Sequence, residues 1–383
     1  MTRIHADMII NGDLFCVSLG LHYLSPLVTI GCTSDMKING DLFCISLGLH
    51  YLCRLYSKTA ETSMESDNRK TTDGLNLETI ALQVCDIARE AGAYIKKERA
   101  SFSVEKVERK HAHDYVSYVD KGSEQLIVKA LRALLPEAGF ITEEGTAKGD
   151  DVGCLKDEEG CTWVVDPLDG TTNFIHGFAP YAVSIALIRG REILVGVVYE
   201  ICADECFYAW KGGGAFMDGR WKMEDGRCKM EDGGCKMEDG GCKMEDGRWK
   251  PSFRGGPLHV GQSTINDALL CLQLPYNSDA YKPVIKQLIQ HFYGNVGSIR
   301  MIGSAAMALC YVAAGRLDAY AERYIGQWDY MAGALIVMEA GGRVTNYNGE
   351  EFFMQGDSVV ATNGTVHDDL MKGLETARQA LER

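Results

Sequence analysis

The sequence predicts a mixed α and β fold, with short apolar strands alternating with amphipathic helices. Two observations carry that expectation. Apolar residues recur at helical spacing in several segments, and elsewhere they cluster in short runs closed by Gly, Pro or Asp turn residues. The composition of the 383 residues, 46% hydrophobic and 24% charged, is that of an ordinary globular chain. The length allows one large domain or two smaller ones, with an ample core.

The elements follow in order. Segment 76–98 places Leu77, Ile80, Ala81, Val84, Ile87, Ala88 and Ala91 on one helical face. Segment 121–135 does the same with Leu126, Ile127, Ala130, Leu131 and Leu134. Trp163-Val164-Val165 reads as a short buried strand, and 182–199 as a strand pair turning at Arg189-Gly190-Arg191. Segments 212–216, 257–260 and 268–274 read as strands. Small residues make 304–314 a helix ended by Gly315, and 317–322 follows as a strand. Segment 329–340 is a helix stopped by Gly341-Gly342. A strand near 358–362 and a helix after Val366 complete the series.

Charge and cysteine usage narrow the class. The formal net charge is −14, so the chain is a poor generic partner for nucleic acid or an anionic membrane. An anionic substrate would need local positive charge, which a bound metal supplies. The 14 cysteines are scattered without a dense framework, which reads as reduced thiols in a cytoplasmic protein. No apolar run approaches the ~20 residues of a membrane span. The apolar run near the N-terminus is broken by Asp13 and followed by no small-residue cleavage site, so no signal peptide is expected.

Two repeats lie outside this pattern. INGDLFCVSLGLHYL at 10–24 returns at 38–52 with Val17 replaced by Ile45. Two copies are too few for a solenoid. Residues 1–75 are therefore expected to form a weakly ordered extension. The second repeat is a KMEDG unit recurring every seven residues between 222 and 250. Asp-Gly in each unit argues against a helical heptad and for turns. Cys228, Cys235 and Cys242 lie seven apart, which is not zinc-site spacing. This stretch, about 220–256, reads as a low-complexity surface insertion expanding a hairpin loop. The remainder, 76–383, reads as one domain.

The chemistry concentrates in three places. The strongest is WVVDPLDGTTNF at 163–174. An apolar strand is expected to end at Asp166, with Pro167 blocking its continuation. Asp169 follows three residues later. Two carboxylates this close repel, and a divalent cation removes that penalty. Hard Mg²⁺ takes oxygen ligands, which Asp166, Asp169 and the Leu168 carbonyl offer. Gly170 permits a tight turn, after which the N–H groups of Gly170, Thr171 and Thr172 can face a phosphate. Second, Glu143-Glu144 close an expected strand and could add a third carboxylate. Third, Asp329 opens a helix, where it is either an N-cap or a metal ligand.

Together with Gly303-Ser304-Ala305-Ala306 and Trp328-Asp329, these pieces resemble the inositol monophosphatase family over roughly 76–374. The resemblance implies a layered αβαβα sandwich of the sugar-phosphatase type, shared with fructose-1,6-bisphosphatase. It implies two or three Mg²⁺ per site. Glu143, Asp166, the Leu168 carbonyl and Asp169 would hold the first, and Asp166, Asp169 and Asp329 the second. Asp120, Glu143 and Thr171 would be catalytic, Thr171 supported by Asp120 in orienting or deprotonating the attacking water. Gly170, Thr171 and Thr172 would cradle phosphate. Ser304, Ala305, Glu322 and Asp329 would line the substrate pocket, Glu322 bonding substrate hydroxyls. Li⁺ inhibition and a homodimer are further implications. The expected activity is hydrolysis of inositol monophosphate or a similar polyol phosphate. The rivals are a 3′(2′),5′-bisphosphate nucleotidase, a fructose-1,6-bisphosphatase, a histidinol phosphatase, a non-catalytic binding protein on the same fold, or an interaction module made by the repeats.

Overall fold

The structure is a computed structural model. It describes residues 75–102, 107–111, 114–147, 160–219, 222–224, 227–229, 242–245, 248–251, 256–273, 282–351 and 356–379, together with the strands Arg3–Ile10 and Asp13–Gly20. The chain divides into two units, Met1–Arg69 and Lys70–Arg383. In the first, the two strands pair antiparallel, from Arg3 opposite Gly20 to Ile10 opposite Asp13. The second copy of the duplication, 38–52, lies outside the described residues.

The second unit opens with α1 (Leu77–Arg99), capped by the Asn76 side chain, which accepts from Thr79 N at 3.0 Å. Helix α2 (Tyr118–Leu134) starts earlier than its apolar pattern suggests. The reason is a capping box: Ser117 Oγ accepts from Val119 N, and the Asp120 carboxylate accepts from Ser117 N. A short hairpin, Val107–His111 with Asp114–Ser117, leads into it.

Seven strands then run in simple succession: β1 (Gly139–Thr142), β2 (Cys161–Asp169), β3 (Ala182–Arg189), β4 (Glu192–Glu200), β5 (Glu205–Trp210), β6 (Gly214–Gly219) and β7 (Gly256–Pro257). Their order in the sheet is that of the chain, and β1 with β2 is its one parallel pair. The other pairings are antiparallel. A second sheet has the order β9-β8-β10-β12-β11, built from β8 (Leu269–Leu272), β9 (Ser298–Arg300), β10 (Ala319–Arg323), β11 (Arg343–Thr345) and β12 (Ser358–Thr362). The remaining helices are α3 (Thr171–His176), α4 (Lys282–Phe292), α5 (Ala305–Ala313), α6 (Gln327–Glu339) and α7 (His367–Arg378).

Strand alternation sets the layers. Val165, Ile185 and Val197 face α1 and α2 in one core. Val164, Ala186 and Val198 face the other way, onto α5 and α6, which also meet Tyr320 and Ala361 of the second sheet. On that sheet's far face, Leu270, Ala319 and Val360 pack against Val284, Leu288 and Phe292 of α4 and Leu370 and Leu374 of α7. The result is a five-layered αβαβα sandwich. A helix between two sheets must be apolar all round, and Tyr330 to Val337 of α6 are all buried. Gly196 permits its close approach: a Cβ there would lie 2.5 Å from Ala332 O.

Three expectations need correction or completion. The 163–165 strand does not end at Asp166. It continues as β2 to Asp169 through a register shift, with Asp166 opposite Ser184 and Asp169 opposite Ala182. Proline lacks the ladder N–H, but a bulge needs none at that position, so Pro167 is accommodated. The 268–274 strand is described as Leu269–Leu272, and its end at Leu274 lies outside the described residues. Helix α4 went unassigned in the sequence, although Val284, Leu288 and Phe292 share one buried face.

The KMEDG insertion leaves and re-enters at adjacent strands, since Phe216 of β6 pairs with Pro257 of β7. Within it, Lys222–Glu224 pairs with Arg227–Lys229, and Cys242–Glu245 with Arg248–Pro251. Each pair brackets an Asp-Gly dipeptide, as turn chemistry predicts. Residues 230–241 lie outside the described set.

Candidate active site

The bulge in β2 concentrates the chemistry. Asp166 and Asp169 leave the same strand end, and the first turn of α6 brings up Asp329. Each of these three offers a carboxylate oxygen, and those oxygens lie within 4.8 Å of one another. Asp329 is the third residue of its helix, not the N-cap. Its Oδ2 accepts from Gly326 N at 2.8 Å, which fixes the carboxylate over the helix start.

Electrostatics show what such a cluster lacks. Burial, then the charges of Glu143, Asp169 and Asp329, hold the Asp166 carboxyl well above its ordinary range. Asp329 is raised well above it by burial, then by Glu143, Asp169 and Glu322. Asp169 is pushed up to about 6 by burial, even though Ser304 and the N–H groups at the start of α5 oppose the shift. Among the described residues none of these three carboxylates has a salt-bridge partner. A set of oxygen donors whose negative charge has no basic side chain to balance it fits a hard divalent cation such as Mg²⁺. The charge of Glu143 raises the Asp166 and Asp329 carboxyls, although its carboxylate is not one of the three whose oxygens lie within 4.8 Å of one another. Its own N–H donates to Val165 O at 3.2 Å, beyond the end of β1.

Each acid is held by a specific frame. Leu168 N donates to Asp166 Oδ1 at 2.9 Å. Asp169 accepts from Ala305 N at 3.2 Å, from Ala306 N at 2.9 Å and from the Ser304 hydroxyl. Ser304 and Ala305 thus act as the clamp on Asp169, and Ser304 also caps α5. Gly170 sits at φ +87°, the left-handed region that favours glycine, and a Cβ there would crowd Pro180 O and Gly303 O. Thr171 and Thr172 open α3 behind it, where first-turn N–H groups have no intrahelical acceptor.

Thr171 Oγ1 lies 2.9 Å from Asp120 Oδ1 and 3.0 Å from Leu168 O, so its one proton goes to either. The other Asp120 oxygen accepts from Ser117 N at 2.9 Å and Ser117 Oγ at 2.6 Å. Burial raises the Asp120 carboxyl against the lowering effect of these bonds. Across the site, the Tyr320 hydroxyl donates to Glu322 Oε2. Glu322 is pushed up to about 8, first by burial, with the charge of Asp169 adding to it.

Three further residues of this frame have no role assigned from the sequence, and of them only Asn173 lies within a motif. Asn173 Nδ2 donates to Pro180 O and Ile302 O, both at 2.8 Å, tying the turn after α3 to the loop before α5. Ser123 Oγ donates to Pro167 O at 3.0 Å. Glu124 accepts from Glu144 N at 2.7 Å, Thr146 N at 2.6 Å and Thr146 Oγ1 at 2.7 Å. The one signal for the last two is helical spacing: Ser123 and Glu124 stand three and four residues after Asp120.

Layered α and β elements around an acid-lined centre beside a tight glycine turn define a phosphate-handling, cation-dependent class of enzyme. A family model described as "Inositol monophosphatase family" matches residues 76–381. The chain belongs to the inositol monophosphatase family, a family of phosphatases. It is 34% identical over 290 residues to an inositol-1-monophosphatase of Mesorhizobium japonicum, covering 75% of this chain and 93% of the relative. It is 36% identical over 291 residues to inositol monophosphatase 2 of Solanum lycopersicum, with 76% and 95% covered. A Nus factor SuhB of Pseudomonas aeruginosa is also 36% identical, over 289 residues, with 72% and 88% covered. Among solved structures, extragenic suppressor protein suhB of Bartonella henselae superposes with a TM-score of 0.62 at 29% identity, covering 78% of this chain and 98% of its own. An IMPase of Thermotoga maritima gives 0.60 at 25% identity, with 78% and 97% covered. Among the described residues no helix is long and apolar enough to cross a membrane.

Proposed function

We propose that this protein hydrolyses a small phosphate monoester, inositol monophosphate or a similar polyol phosphate, by direct attack of water with Mg²⁺ as cofactor. The observation that carries this reading is the convergence of Asp166, Asp169 and Asp329 within 4.8 Å, at a strand bulge and a helix start. Glu143 and the Leu168 carbonyl complete the donor set. Bound there, Mg²⁺ would neutralise the phosphate dianion and acidify the attacking water.

The chain's own residues do the rest. With Thr171 donating to Asp120 Oδ1, its oxygen lone pairs can accept a proton from the water that attacks phosphorus. Asp120 then takes up the Thr171 proton, and burial, which raises its carboxyl, makes it the better acceptor. The N–H groups of Gly170, Thr171 and Thr172 would hold phosphate oxygens. Glu322, set by Tyr320, would accept from a substrate hydroxyl, which favours a polyol over the nucleotide, bisphosphate or histidinol rivals. Asp166, Asp169 and Asp329 have no salt-bridge partner among the described residues, and such clustering has no structural benefit, which favours an enzyme over a binding protein. The same reading makes the protein a Li⁺-sensitive cytoplasmic homodimer.

The test is phosphate release from inositol 1-phosphate with Mg²⁺, with EDTA, and with Li⁺ added. Mg²⁺-dependent release blocked by Li⁺ supports the reading. No release from this substrate or a panel of sugar and nucleotide phosphates defeats it. Trapping of a phosphorylated Asp166 or Asp169 would defeat direct water attack.

A further inference from the structure

One face of α2 touches three separate parts of the site. Asp120, Ser123 and Glu124 are fully buried. Asp120 meets Thr171, Ser123 meets the Pro167 carbonyl inside the β2 bulge, and Glu124 meets the turn that follows β1. Thr171 also has the Leu168 carbonyl within reach. Glu124 does something no other described group does.

The chain leaves the sheet at Thr142. Just past Thr142, Glu143 N still donates to Val165 O of the neighbouring strand β2. Beyond it, Gly145 turns the backbone at φ +63°. The N–H groups of Glu144 and Thr146 therefore point away from any strand. Both donate to Glu124, one to each carboxylate oxygen, and the Thr146 hydroxyl adds a third bond. Glu143 is thus held on one side by β2 and on the other by Glu124. Its backbone, and so the direction of its Cα–Cβ bond, is fixed from both ends.

A buried carboxylate is a costly choice for this task beside an already acidic cluster. A neutral acceptor would serve packing alone. An ionised carboxylate makes stronger bonds to backbone N–H groups, and only it can accept on both oxygens without presenting an N–H to another N–H. We propose that Glu124 is a positioning residue for the cation site: it clamps the 144–146 turn so that the Glu143 carboxylate is aimed at Asp166 and Asp329. The inference rests on Glu143 being a cation ligand, as proposed above.

The experiment measures Mg²⁺ binding by the full chain, without substrate, as the Mg²⁺ concentration that gives half of the maximal rise in melting temperature. Outer partners of ligating residues typically alter metal affinity by about 10- to 100-fold. Glu124→Gln is expected to raise that midpoint at least ~10-fold. An unchanged midpoint with a lower melting temperature in EDTA would make Glu124 merely structural and overturn the proposal. Should Glu124→Gln fail to fold, Thr146→Ala removes one of the three bonds and is expected to raise the midpoint to a smaller degree; no change there overturns the proposal as well. Glu143→Gln separates the two ideas. If it leaves the midpoint unaltered, Glu143 is not a ligand and the underlying reading fails. If it raises the midpoint while Glu124→Gln does not, the clamp alone fails.

Discussion

Two clusters of buried polar groups in the phosphatase unit are treated in opposite ways. Near the start of α7, every buried polar group is answered. Asp318 Oδ2 accepts from Leu269 N at 2.8 Å and its Oδ1 from Asn363 Nδ2 at 3.1 Å. Asn363 also donates to Ser263 O and accepts from Val366 N, both at 3.1 Å. His367 sits between the hydroxyls of Thr345 and Thr362, at 3.2 and 3.0 Å. Burial, then the charge of Arg343, lowers its pKa to about 4, so it is neutral at physiological pH. At the β2 bulge, by contrast, acids face acids. Their hydrogen bonds orient them but leave negative charge uncompensated. In the first cluster polar burial is satisfied within the chain, whereas in the second it leaves room for a charge from outside.

The sharpest way to break this comparison is Asp166→Asn. Loss of one electrostatic stabiliser should lower kcat at least ~10²-fold. Yet in EDTA the variant should melt no lower than the parent, because a like-charge conflict has been removed. A clear loss of metal-free stability would show that Asp166 serves the fold. Asp169→Asn should lower kcat by a similar factor, and near-normal turnover would remove Asp169 from the site.

Next comes pH. Asp169 is raised to about 6 in the folded chain, so its contribution is present below the ordinary carboxylate range and is lost as pH rises through about 6; the loss is on the order of 3 kcal/mol. Glu322 extends the same trend up to about 8. In EDTA, therefore, melting temperature should rise as pH falls from 8 toward 5. His367 has the opposite sign. Its folded pKa is depressed, so its contribution is present above 6.5 and is lost as pH falls toward about 4. Saturating Mg²⁺ should cancel the Asp169 part of the first trend and leave the His367 trend. Melting curves that respond to pH identically with and without Mg²⁺ would erase the distinction between the two regions.

A third test works from the satisfied side. Asp318→Ala should cost about 2 kcal/mol of stability, the price of leaving Leu269 N and Asn363 without their acceptor. Its kcat per folded molecule should stay at the parental value, and a fall in kcat would mean that the network reaches the site. The smallest effect belongs to Tyr320→Phe. Removing the donor that sets Glu322 should raise KM for a polyol phosphate about 5-fold, or ~1 kcal/mol, with kcat little altered. A change in kcat alone would place Glu322 nearer the reacting atoms than the substrate hydroxyls.

Much of this was readable before the fold was known. The apolar faces of 76–98 and 121–135 mark α1 and α2, because core-facing helices repeat every 3.6 residues. Asp166, Asp169 and Gly170 stand together in twelve residues, so local geometry alone brings them to one strand end. Asp-Gly in the KMEDG units forecast turns. The rest required contacts distant along the chain. Ser304 reaches Asp169 across 135 residues, and Asn173 reaches Ile302 across 129. Glu124 carries no motif, and its meaning depends on a turn 20 residues away. Pro167 misled, because proline usually ends a strand and only the register shift against β3 reveals the bulge. Helix α4 hid because a short apolar stripe takes its face from the sheet it covers.

The sequence by itself determined the chemistry of the donor set. Asp166, Asp169 and Asp329 are acids wherever they are placed, and carboxylates gathered without a salt-bridge partner among the described residues suit a cation. Short apolar runs and helical period likewise determined that strands and helices would alternate, while the layering was implied by the family resemblance. What only the tertiary structure decided is convergence and aim. Asp329 meets the β2 acids because α6 lies between two sheets, and the turn after Glu143 is tied down because Glu124 of α2 lies behind it. A residue's charge belongs to its covalent structure, whereas its direction belongs to the packing around it.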